Sequence, residues 1–215
     1  MILPTIGLSR RRRLPCLHYF GSTFLPWQKP FLSLFLSSFG WTYDGSTLKN
    51  GKVTILCPFK EHARMIVNEW KLWKKYYLPP FSLKGKTVLD AGAGVGETAI
   101  FYALHGAKKI YAVEIDKEKA KLISKNAKLN NVDVEVFTEP FSVKHLALPF
   151  DFAKIDVEGA ETELLKLEKI NFPCLVETHS KEIEQRFIRR GFRKVYEFDD
   201  KDISLVVNYA YEKIF

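Results

Sequence analysis

From Lys86 to Tyr209 the chain alternates short apolar runs with helical patterns, and a glycine loop sits at the first junction. The spacing predicts strands over Thr87–Leu89, Lys109–Val113, Val132–Phe137, Phe152–Ile155 and Cys174–Glu177. Between and after them it predicts helices over Val95–Leu104, Lys117–Leu129, Glu161–Leu167 and Lys181–Arg190. Two further strands, Arg193–Phe198 and Ile203–Tyr209, are joined by the acidic turn Asp199–Asp202 without a helix. Strands that alternate with helices require crossovers, hence a mostly parallel sheet covered on both faces. Two strands joined by a short turn require an antiparallel hairpin at one edge. The expected fold is an α/β three-layer sandwich around a mostly parallel seven-stranded sheet with a C-terminal antiparallel edge hairpin.

Upstream the pattern differs. Residues 60–77 read as a helix, with Met65, Ile66, Trp70, Trp73 and Tyr77 at helical spacing and Pro79-Pro80 as its stop. Trp41–Cys57 reads as a hairpin, with turn residues at Asp44-Gly45-Ser46 and Asn50-Gly51. Two parts are expected: residues 1–60, a small basic N-terminal extension with a β-hairpin, and residues 61–215, the sheet domain.

Charge follows that division. The chain carries a net charge of +8, and residues 1–60 hold eight Lys/Arg against the single acid Asp44, which is +7. Such a segment can attract RNA or another anion, or serve as a solvated tail. Phe24–Trp41 is broken by Pro26, Gln28, Lys29 and Pro30, so no membrane span is expected, and a small-residue cleavage pattern is missing. Cys16, Cys57 and Cys174 are far apart with no CxxC spacing. A disulfide framework or zinc site is not expected, and a reducing, cytoplasmic setting is.

The glycine loop reads Asp90-Ala91-Gly92-Ala93-Gly94-Val95-Gly96. Gly92 and Gly94 remove side chains where backbone must turn tightly and approach a ligand. Asp90, directly before them, suits a cationic amino group better than a pyrophosphate. Glu114 ends the second strand 24 residues later, where an acid can accept from both ribose hydroxyls. Ile115 follows it and is grouped with the cofactor residues. Asp116 fits the N-cap of the next helix. After the third strand, Glu139 can accept from an adenine amino group and Phe141 can pack on the ring.

Together these residues resemble the class I S-adenosylmethionine-dependent methyltransferases, which have a Rossmann-like fold. Phe152-Ala-Lys-Ile-Asp156-Val-Glu158-Gly159-Ala-Glu161 is similar to the signature of the FkbM family, as are Val176-Glu177-Thr178-His179 and the block Lys125–Asn131. The resemblance spans about residues 70–208. It implies an enzyme with S-adenosylmethionine as cofactor, bound by Asp90, Gly92, Gly94, Glu114, Ile115, Glu139 and Asp156. It also implies O-methylation of a small-molecule or sugar hydroxyl, with Asp156, Glu158 and His179 near the methyl group.

Asp90, Glu114, Glu139, Asp156, Glu177 and His179 all fall at strand ends, where open parallel sheets bind ligands. His179 is the expected general base because its ordinary pKa is near neutral. Asp156 or Glu158 can take that role or bind acceptor hydroxyls. A divalent metal on Asp156, Glu177 and His179 is a further possibility. Their separation is not fixed by the sequence, and no metal is assigned. Two other readings stay open: a tRNA or RNA methyltransferase using the basic segment, and a non-catalytic S-adenosylmethionine-binding module.

Overall fold

The computed structural model describes residues 36–37, 39–199 and 202–209. The arginines at 10–13, Cys16 and the turn residues 200–201 lie outside them. Seven strands form one sheet: β4 (Thr87–Ala91), β5 (Lys109–Val113), β6 (Val134–Phe137), β7 (Phe152–Ile155), β8 (Cys174–Thr178), β9 (Arg193–Glu197) and β10 (Ser204–Asn208). Their order is β6-β5-β4-β7-β8-β10-β9. The first five are mutually parallel, and β10 runs antiparallel to both β8 and β9. The sheet and its edge hairpin therefore match the expectation.

Every residue of β4 is buried, as a central parallel strand covered on both faces requires. Its alternate side chains enter two cores. Val88 joins Ile110, Ala112, Phe152 and Leu175 on one face. Leu89 and Ala91 join Val113, Ala153, Ile155 and Val176 on the other. The covering helices are α1 (Lys60–Tyr76), α2 (Glu97–Leu104), α3 (Lys117–Leu129) and α4 (Lys181–Arg189). Asp116 caps α3, its carboxylate accepting from the N–H groups of Glu118 and Lys119. None of these helices is long and apolar enough to cross a membrane.

Three local expectations need correction. The hairpin at 41–57 is a three-stranded antiparallel meander, β1 (Thr42–Tyr43), β2 (Thr47–Asn50) and β3 (Val53–Leu56). The extra strand, Thr-Leu-Lys-Asn, buries only Leu48, so its sequence reads as a turn. The helix at 95–104 starts at Glu97, because Gly96 is left-handed at φ 95°. The segment after β7 is a 3₁₀ helix, Ala160–Lys166, rather than an α-helix.

The meander is tied to the sheet domain by Asn126 of α3 and by Asn130, which caps the helix's C-terminal end. Asn126 accepts from Leu56 N–H at 2.7 Å and donates to Leu56 C=O at 3.0 Å and Val95 C=O at 2.8 Å. Asn130 accepts from Thr54 N–H at 3.0 Å and donates to its C=O at 2.7 Å. The two amides copy the pairing a neighbouring strand would give to the edge of β3. Trp41 adds an edge-on contact with Trp70 of α1, ring centres 5.0 Å apart.

Candidate active site

The sheet's strand order reverses beside β4, so the carboxyl ends of β4, β5 and β7 border the crevice where such folds bind ligands. Gly92 and Gly94 have φ of 75° and 57°. A Cβ on Gly92 would stand 1.6 Å from the Asp156 carbonyl oxygen, so the loop and the end of β7 touch backbone to backbone. At the tip of β5, Glu114 accepts from Gly94 N–H at 3.0 Å and from Asp116 N–H at 2.9 Å. Burial lifts its pKa, opposed by these hydrogen bonds. Ile115 beside it is 66% exposed. A carboxylate next to an open apolar side chain, bordering a backbone cradle, can hold a ribose and the face of a base.

Beneath the loop lies an ion cluster. Lys154, in the middle of β7, is buried and donates to Gly92 C=O at 2.8 Å. Its ammonium is 3.3 Å from both Asp90 Oδ1 and Asp156 Oδ2. Asp90 is 0% exposed, and its Oδ2 accepts from the Thr98 hydroxyl at 2.6 Å. Its carboxylate is thus taken up by protein groups rather than open at the strand end. Burial raises the Asp90 pKa against the Lys154 charge and the Thr98 bond. Burial opposes the Lys154 charge as well, but Asp156 and Asp90 outweigh it and hold the ammonium protonated. On the next turn, Glu97 accepts from Val95 N–H at 2.7 Å and is 2.6 Å from His62 of α1.

At the tips of β7 and β8 a second cluster forms. His179 Nε2 lies 3.5 Å from Asp156 Oδ1 and 3.6 Å from Glu177 Oε1. Its Nδ1 is 3.3 Å from Glu161 Oε1, which also accepts the His179 backbone N–H at 3.1 Å. Glu177 Oε2 accepts from the Tyr77 hydroxyl at 3.0 Å. Burial pulls the His179 imidazole down, but the Glu161 bond and the charges of Asp156 and Glu177 outweigh it and carry its pKa up to about 9. An imidazolium has no free lone pair, so in this arrangement His179 is a donor near neutral pH. Burial and Asp156 push Glu177 up. Glu69 of α1 feels the same two charges and, with burial, sits well above the usual carboxylate range.

Asp156, Glu177 and His179 thus converge. Glu158 stands outside that convergence, exposed at φ 36° in the turn before the 3₁₀ helix. Glu139 is tied to Lys144 at 2.7 Å and His145 at 3.1 Å, and Phe141 is buried against the His145 ring. Sequence reasoning missed Lys154, Tyr77, His62 and Glu97. Lys154 carried a legible signal, since a lysine inside an apolar parallel strand requires buried counter-charges.

Residues 75–155 match the family model described as the TRM5/TYW2 methyltransferase domain. The ribosomal protein L11 methyltransferase of Aquifex aeolicus is 39% identical over 82 residues, 38% of this chain and 32% of that protein. The electron transfer flavoprotein beta subunit lysine methyltransferase of Mus musculus is 44% identical over 54 residues, 25% of this chain and 21% of that protein. The matches thus span about a third or less of these curated relatives. The Pyrococcus abyssi tRNA (uracil-54, C5)-methyltransferase, solved with S-adenosyl-L-homocysteine, superposes with a TM-score of 0.51 at 18% identity, over 77% of this chain and 44% of that one. It shares the fold. Sheet order and glycine loop agree with these matches, and over residues 75–155 the chain is similar to methyltransferase domains of the class I, S-adenosylmethionine-dependent type.

Proposed function

We propose that this chain transfers the methyl group of S-adenosylmethionine to the hydroxyl oxygen of a sugar or another small polar molecule. The observation that carries the reading is the convergence of Asp156, Glu177 and His179 at the tips of β7 and β8, directly beside the glycine loop. Glu114 would hold the ribose hydroxyls and Ile115 the base, with Glu139 bordering the adenine edge. Gly92 and Gly94 let backbone approach the amino-acid end, and Asp90, through Thr98 and Lys154, positions that loop. The bound cofactor supplies an already activated methyl group, so the protein's main task is in-line placement of the acceptor.

Asp156, Glu177 and His179 hold the acceptor oxygen. As the O–CH3 bond forms and the S–CH3 bond breaks, the hydroxyl proton leaves through this cluster to solvent, and a neutral thioether remains. Glu158, at the exposed rim, suits a contact with the acceptor's other hydroxyls. The excess of carboxylates disfavours a phosphate-bearing acceptor, and the FkbM-like segment around Asp156 supports an oxygen acceptor. The free, buried Cys57 and Cys174 are consistent with a reducing cytoplasm. An RNA acceptor is the second reading, favoured by the TRM5/TYW2 match and by the +7 charge of residues 1–60.

Incubation with methyl-labelled cofactor and separated small-molecule, protein and RNA fractions tests both. Label in the small-molecule fraction, stable to protease and ribonuclease, is expected. Label released only by ribonuclease would establish the RNA reading, and label confined to protein would sink both.

A further inference from the structure

We propose that Asp156, Glu177 and His179 form a divalent-cation site, of Mn2+ type, that fixes the acceptor oxygen beside the transferable methyl group. This rests on the methyl-transfer reading above and specifies how its acceptor is held. One ligand atom from each of Asp156, Glu177 and His179 lies within 4.8 Å of the other two. His179 Nε2 is 3.5 Å from Asp156 Oδ1 and 3.6 Å from Glu177 Oε1. These separations exceed a good N–H···O hydrogen bond, about 2.7–3.2 Å. They suit adjacent ligands on one ion, each roughly 2.1–2.2 Å from it.

The opposite atom of every ligand is already engaged. His179 Nδ1 faces Glu161, Glu177 Oε2 accepts from Tyr77, and Asp156 Oδ2 faces Lys154. Glu161, Tyr77 and Lys154 are all buried. Metal ligands are characteristically oriented by such outer partners. The charge count points the same way. Asp90, Asp156, Glu161 and Glu177 share one ammonium, Lys154; an ion on His179 Nε2 displaces that nitrogen's proton and leaves a neutral imidazole, so a divalent cation would offset most of the acidic excess.

Access is retained, since the Asp156 and His179 side chains are 28% and 19% exposed. Three protein ligands leave coordination positions for water and the acceptor hydroxyl, whose proton a cation makes easier to lose. Two carboxylates with one imidazole favour Mn2+ over Mg2+, which prefers oxygen ligands alone.

The test is a Mn2+ titration of the full chain followed by electron paramagnetic resonance, without cofactor. One saturable site per chain is expected, with nitrogen coupling from a single imidazole in the bound-ion spectrum. Asp156→Asn, Glu177→Gln and His179→Gln should each weaken binding at least tenfold, while the surface variant Glu118→Gln should not. The nitrogen coupling needs no variant, so a misfolded substitution leaves the proposal testable. Absence of a saturable site, a bound ion without nitrogen coupling, or full affinity in folded forms of all three variants would overturn it. Calorimetry with S-adenosylhomocysteine in chelator separates the two failures: cofactor-product binding without Mn2+ binding removes the cation and keeps the methyltransferase reading.

Discussion

Replacing Lys154 by Met should destabilise the fold severely, because the ammonium is buried between two acids and a carbonyl. At 3.3 Å from Asp90 and from Asp156, each ion pair is worth about 5 kcal/mol at an effective dielectric of about 20, before desolvation is counted. Desolvation of the ammonium offsets much of that attraction. Removing one partner of a buried pair leaves a net loss of ~3–5 kcal/mol, since the stranded carboxylates remain desolvated. For a domain of this size ~2–4 °C of Tm is lost per kcal/mol, so Tm should fall by ~6–20 °C. Urea unfolding followed by circular dichroism measures the change. Adding Asp90→Asn to Lys154→Met removes the more deeply buried of the two stranded charges and should recover ~1–3 kcal/mol of coupling. A Lys154→Met protein within ~1 kcal/mol of the wild type would refute the reasoning.

Other consequences can be measured separately. Asn126→Ala removes three hydrogen bonds and leaves Leu56 N–H, Leu56 C=O and Val95 C=O without their partner; at ~1 kcal/mol each, urea unfolding should show a loss of ~3 kcal/mol. Glu184 is buried, and although burial raises its pKa, Ser204, Lys181 and Lys194 hold it below the usual carboxylate value. A depressed acid contributes stability that is present above its unfolded pKa of ~4.3 and lost as pH falls through the folded one. Stability measured between pH ~5 and ~3 should therefore fall less steeply in Glu184→Gln than in the wild type.

The sheet was legible because buried parallel strands read as apolar runs between helical patterns. Lys109–Val113, Lys117–Leu129 and Phe152–Ile155 were placed to the residue. The strand Thr47–Asn50 was not, since three of its four side chains are not buried and its pairing comes from both neighbours. Glycines and strand-end acids marked the candidate site in the sequence, as their chemistry is local. Their partners are not local. Tyr77 reaches Glu177 across 100 positions, His62 reaches Glu97 across 35, and Lys154 reaches Gly92 across 62. Asp90 shows the limit of position alone, since its place before the loop suggested an open carboxylate and Thr98 and Lys154 enclose it.

In the proposed complex an adenosyl sulfonium lies over the tips of β4 and β5 with its sugar held by Glu114. Isothermal titration of the folded chain with S-adenosylhomocysteine tests it most directly. One-to-one binding is expected, weakened roughly ten- to hundredfold in Glu114→Ala by the loss of ~1.5–3 kcal/mol of charge-assisted hydrogen bonding. A folded wild type without saturable binding, or a Glu114→Ala protein that binds as tightly, would contradict it.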